Sequence, residues 1–146
     1  MKALLSRATI ASLLLGTSLL ASAADLPRTP APAGAEVFIV SPQDGATVGQ
    51  TFTVKFGVKK LDLEPIDKQV PNAGHHHLLV DQEVGALNAN EAIPATPTSI
   101  HFGKAQTETE LTLTPGKHTL QLVAGDNVHR QFEPTVASKV ITVNVK

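Results

Sequence analysis

TETELTLTPGKHTLQLVAGD, residues 107–126, decides the fold class. Leu111 and Leu113 alternate with threonines, Pro115-Gly116 interrupts, and Leu120 and Leu122 resume the alternation after His118. Period two with β-branched neighbours is the mark of a strand with one buried face, and a Pro-Gly break between two such runs reads as a turn. The stretch is therefore expected to be a β-hairpin, with Leu111 and Leu113 facing Leu120 and Leu122.

The same pattern recurs to either side. TFTVKFGV, residues 51–58, places Phe52, Val54, Phe56 and Val58 on one parity, and VFIV (37–40), HHHLLVDQ (75–82) and KVITVNV (139–145) are further strand candidates. Between them lie the turn SPQDG with Pro42 and Asp44-Gly45, a polar connection over 59–74 broken by Pro65 and Pro71, and a weakly patterned stretch over 83–106. Pro94 and Pro97 forbid a long helix in that stretch and leave room for a short turn around 90–93. About six strands with turn signals between them and no helical periodicity predict an all-β, immunoglobulin-like antiparallel β-sandwich.

The 146 residues suit one domain. MKALLSRATIASLLLGTSLLASAA, residues 1–24, has a basic start at Lys2 and Arg7, an apolar run and small residues at its end, which is the form of a cleavable export signal. The apolar run is short for a membrane span and no second one follows, so the expectation is a periplasmic protein that does not cross the membrane. Residues 25–35, rich in Pro and Ala, read as a flexible N-terminal tail, and 36–146 as the sandwich domain. Without Lys2 and Arg7 the twelve basic residues become ten against thirteen acidic ones, a net charge of −3. Nucleic-acid binding, which needs a basic stripe, is not expected. The absence of cysteine removes disulfides and thiolate ligands alike.

The blocks SPQDGATV, GHHHLLVD and HFGKAQTETELTLTPGKHTLQLVAGDNVH resemble a widespread family of small exported bacterial domains of unknown function. The likeness covers most of 36–146. It implies an immunoglobulin-like periplasmic domain and supplies no catalytic residues. The His triplet after Gly74 and His118 after the PGK turn match recurring features of that family, whereas a single imidazole, His129, stands between Asn127 and Arg130 where relatives are richer in histidine.

Six histidines carry the chemistry this chain can offer: His75, His76, His77, His101, His118 and His129. Neighbours on a strand point to opposite faces, so His75 and His77 can share a site that His76 cannot easily join. Asp81 has the parity of His75 and His77, which marks their face as the wetter one. His118, with the parity of Leu120 and Leu122, is expected to cap the core and bond a turn carbonyl. In an immunoglobulin-like order the strand of His75 is the third and that of His118 the sixth, antiparallel neighbours. His75 and His77 then lie near Asp126 and His129, and His118 lies roughly 20 Å off along the strand. His101 is expected to return to the His75 end because residue 107 would pair toward residues 123–125 of the hairpin.

His75, His77, His101 and His129 are thus the candidate metal ligands. The Irving–Williams order favours Cu(II) at imidazole sites, with Zn(II) as the other candidate. The sequence points to an exported metal-binding or metal-handling protein, and alternatively to an interaction module that docks a periplasmic partner without metal. An enzyme is not expected. Ser41, Ser99 and Ser138 lack a nucleophile elbow, Glu108 and Glu110 read as solvated surface, and Asp126-Asn127 reads as a turn.

Overall fold

The computed structural model describes residues 26–146, so the expected export signal lies outside the described residues. The strands are β1 (Glu36–Ser41), β2 (Ala46–Val48), β3 (Thr51–Lys59), β4 (His75–Val80), β5 (Ser99–Phe102), β6 (Glu108–Thr112), β7 (Gly116–Gly125) and β8 (Ile141–Val145). Single 3₁₀ turns occur at Ile66–Lys68 and Val84–Ala86, and the described residues contain no α-helix. The domain is all-β, in two sheets ordered β1-β3-β6 and β2-β8-β7-β4-β5. Neighbouring strands are antiparallel except β2 and β8, which are parallel.

Alternation produces the core. Val54 and Phe56 of β3 are buried while Thr53 and Lys55 are exposed. Val54, Phe56 and Leu111 from the first sheet meet Leu78, Leu120, Leu122 and Val143 from the second in one apolar cluster, an arrangement consistent with a β-sandwich. Phe52 packs against the edge of that cluster.

The expected hairpin is corrected. β6 pairs with β3, setting Leu111 beside Phe52, while β7 pairs with β4 and β8. Pro115-Gly116 therefore carries the chain from one sheet to the other, with Gly116 at φ +136°, a backbone angle that suits glycine. Leu111 and Leu120 do share the core, but from opposite sheets. An alternating strand presents the same apolar row whether its successor pairs beside it or packs across from it, so the pattern could not separate the two.

Residues 26–31 run along the loop that follows β7. Ala31 donates its amide to the Glu133 carbonyl at 2.8 Å and Glu133 donates its own to Thr29 at 2.9 Å. Arg28 pairs with Glu133, and the Arg130 guanidinium donates to the carbonyls of Leu26 and Pro27 at 3.0 and 3.1 Å. Composition marks this segment as lacking a strand period, and it is held by polar contacts that need none.

Candidate metal centre

Every residue of β4 is buried, because both of its faces are covered. Leu78 and Val80 face the shared core. On the opposite face, that of His75, His77 and Leu79, Leu79 is covered by Ile93, Val84, Leu87 and Ala137 from the long connections. The expectation of a wetter face is thereby corrected: His75 and His77 are 1% and 0% exposed. Asp81, the residue that suggested water, leaves the strand at φ +55° and turns away.

Strand pairing assembles the site. β5 lies antiparallel to β4 with His101 opposite His77, and on the other side of β4 Gly125 stands opposite His75. The loop after β7 brings in His129. His75 Nε2 and His77 Nε2 are 3.0 Å apart, and one potential ligand nitrogen from each of His75, His77 and His101 lies within 4.8 Å of the others. This cluster could hold a metal ion. The His129 ring stands 5.1 Å from that of His75, 4.8 Å from His101 and 6.2 Å from His77, centroid to centroid. The remaining pairs are 4.8 Å (His75–His77), 4.8 Å (His75–His101) and 5.1 Å (His77–His101). Four rings so spaced occupy the corners of a slightly stretched tetrahedron.

Space for the rings comes from glycines. A Cβ on Gly125 would lie 2.8 Å from His77 Nε2, and one on Gly103 would overlap the His101 ring. Both are places where no side chain other than hydrogen fits without moving an imidazole.

Burial also sets the charge. His75 is pushed from 6.5 down to about 3, chiefly by desolvation and then by repulsion from His101, His129 and His76. His77 falls to about 2, again chiefly by desolvation, and then by His75, His101, His129 and His76. His101 is lowered by desolvation and by His129. The rings of His75, His77 and His101 are neutral at pH 7, and a neutral imidazole keeps one lone pair. Among the described residues, His101 Nε2 and His77 Nδ1 are buried without a hydrogen-bond partner, as are both ring nitrogens of the core-facing His76, while His77 Nε2 is bonded to His75 Nε2. Buried polar atoms left unpaired are costly, and a bound cation satisfies lone pairs that the protein does not.

The other two histidines stand apart. His76 points into the core against Phe56, ring centroids 5.3 Å apart, and desolvation lowers it to about 4. His118 bonds Asp81 Oδ2 at 2.7 Å through Nδ1 and the Thr114 carbonyl at 2.9 Å through Nε2, the turn contact expected of it. Its bond to Asp81 was not foreseen. His101 reaches the cluster through β4–β5 pairing, since the hairpin that was to return it does not exist. Two features had no sequence signal strong enough to find them: the glycine cradle, and the burial of Asp126, whose carboxylate accepts the amides of Val128 and Arg130 at 3.0 and 2.8 Å.

No curated protein matches the sequence. Among solved structures, the fibronectin(III)-like modules of Clostridium thermocellum CbhA are similar at 16% identity and a TM-score of 0.42, over 76% of this chain and 45% of that one. This chain thus spans under half the length of that structure. A family model matches residues 54–146, which include β4, β5 and the loop of His129, and the chain belongs to the family described as Domain of unknown function (DUF4399).

Proposed function

We propose that this domain is an exported, periplasmic metal-handling protein that holds one divalent ion among His75, His77, His101 and His129, on an immunoglobulin-like frame. The observation that carries the reading is the near-tetrahedral set of four imidazole rings. A ring whose nitrogen lies about 2.1 Å from an ion has its centroid roughly 3 Å from it, so four such rings around one tetrahedral ion stand roughly 5 Å apart. The observed separations meet that requirement with only His129 still to move inward.

Zn(II), which takes four nitrogen or sulfur ligands tetrahedrally, is the ion this cage suits best. Cu(II), which the affinity order favours, prefers a tetragonal arrangement and is the second reading. A closed four-imidazole shell leaves no open position for a substrate, which supports binding rather than catalysis. The half-buried His101 and His129 supply the side from which an ion can exchange.

The test is calorimetric titration of untagged protein with Zn(II) and with Cu(II), followed by X-ray absorption of the loaded form. One equivalent bound, with four nitrogens at about 2.0–2.1 Å, is expected. A dissociation constant weaker than roughly 10 μM for both ions would leave the interaction-module reading as the better one.

A further inference from the structure

His129 adopts φ +67°, in the left-handed region that residues other than glycine seldom occupy. Its ring is also the one farthest from His77 and is only half-buried. What holds this residue therefore decides whether an ion meets three imidazoles or four. Asp126 does most of the holding. Its Oδ1 accepts the amides of Val128 and Arg130, the two residues that flank His129. The main chain closes the same loop: His129 donates its amide to the Asp126 carbonyl at 2.9 Å, and Asp126 donates its own to Arg130 at 2.8 Å. From outside, the Ile93 amide donates to the His129 carbonyl at 2.7 Å.

The second oxygen of the Asp126 carboxylate accepts the Thr29 hydroxyl at 2.7 Å. Thr29 lies in residues 26–31, the same segment whose carbonyls at Leu26 and Pro27 receive the Arg130 guanidinium. The segment thus grips the loop at Asp126 and at Arg130, on both sides of His129.

We infer that Asp126 is a positioning residue for the fourth imidazole, and that residues 26–31 form a strap which, through Thr29 and Arg130, keeps the metal shell closed. The inference rests on the metal reading above. With the strap in place His129 stands close enough to the three gathered imidazoles to move inward and supply a fourth nitrogen when an ion binds. With it loosened, His129 relaxes outward and leaves a three-imidazole site with an open position, the form from which an ion exchanges or meets another ligand.

The experiment compares wild-type protein with Thr29→Val, Thr29→Ser and Asp126→Ala, using Zn(II) as the probe. Thr29→Val removes one hydroxyl at the surface of the loop. It is expected to speed Zn(II) release to a chelator by about tenfold, in the range that supporting contacts to ligands are worth, and to lower the nitrogen count in X-ray absorption from four toward three. Thr29→Ser restores both values, and Asp126→Ala exceeds the effect of Thr29→Val. If Asp126→Ala does not fold, the Thr29 pair decides alone. Thr29→Val with the wild-type release rate and four nitrogens overturns the strap, as does a loss of melting temperature without a change in nitrogen count. Wild-type protein that takes up no Zn(II) overturns the strap, and wild-type protein that takes up neither Zn(II) nor Cu(II) overturns the metal reading with it.

Discussion

The two ends of β4 carry histidines that the fold treats in opposite ways. Beyond its C-terminal end, His118 faces the Asp81 carboxylate and the Thr114 carbonyl, two groups that can only accept. Both ring nitrogens must donate, and the bond to Asp81, which outweighs the opposing desolvation, raises the pKa with help from Thr114 and from the Asp81 charge. At the N-terminal end, His75 and His77 face other imidazoles, and their pKa values fall to about 3 and about 2. The lesson is that neighbours decide what a histidine offers. Obligate acceptors favour the protonated ring, which has no lone pair to offer, whereas buried imidazoles stay neutral and each keeps a lone pair, shared at 3.0 Å between His75 and His77, that a cation can take.

The largest expected effect sits at the N-terminal end. Replacing His75 and His77 together by Ala should lower Zn(II) affinity by roughly a thousandfold or more, since two of the four proposed ligands vanish, while His118→Ala leaves one equivalent bound. Calorimetry on both variants breaks the comparison if the double variant still binds or if the His118 variant does not. Next comes Gly125→Ala, whose added methyl meets His77 Nε2. It should weaken Zn(II) binding by about 10- to 100-fold, as a displaced ligand would. Wild-type affinity in that variant would show that the cradle is not what seats the rings.

Smaller effects belong to the other end. Asp81→Asn should cost about 1–2 kcal/mol, because the Thr119 amide keeps an acceptor while the charged partner of His118 is lost. The pH dependence gives the sharpest contrast. Because the folded pKa of His118 is raised, its contribution is complete below about 6.5 and disappears as the pH rises through the folded value. Asp81 feels a desolvation that pushes its pKa up, but the bonds from His118 and Thr119 and the His118 charge together bring it down, so its share is lost only as the pH falls through that lowered value. The metal end runs the other way: the unfolded chain takes up protons below about 6.5 while His75 and His77 resist them, so metal-free stability declines as the pH falls from there toward about 3. Urea midpoints across this range should show His118→Gln removing the alkaline loss and leaving the acid loss in place. An unchanged alkaline limb would mean that the pair contributes nothing to stability.

How far these ends were legible in the sequence follows from what each depends on. Parity along β4 placed His75 and His77 on one face and His76 on the other. The pairing of the third and sixth strands of the expected sandwich placed Asp126 and His129 beside them, as β4 and β7 do. β5 was not legible, because SIHF is four residues long and shows no clear alternation between Pro97 and Gly103. The apolar cover on the outer face of β4 at Leu79 was not legible either. Its members, Val84, Leu87, Ile93 and Ala137, follow no period, since a loop packs side chains wherever its turns deliver them. The bond between Asp81 and His118 depended on Asp81 leaving the strand in a left-handed turn, which a parity count cannot see.

The parallel pairing of β2 with β8 has a mechanical meaning. Ala46, Thr47 and Val48 lie against Val143, Asn144 and Val145, and the Lys146 amide donates to Val48. Just before this ladder, Gly45 donates to Thr142, and the Thr142 amide donates to Asp44. Force that draws the chain preceding β2 away from Lys146 slides these strands past each other along their length. The bonds of the ladder then bear the load together in shear, whereas an antiparallel hairpin pulled at its open end would part them one after another. Under tension this short edge strand acts as a clasp at the edge of the second sheet.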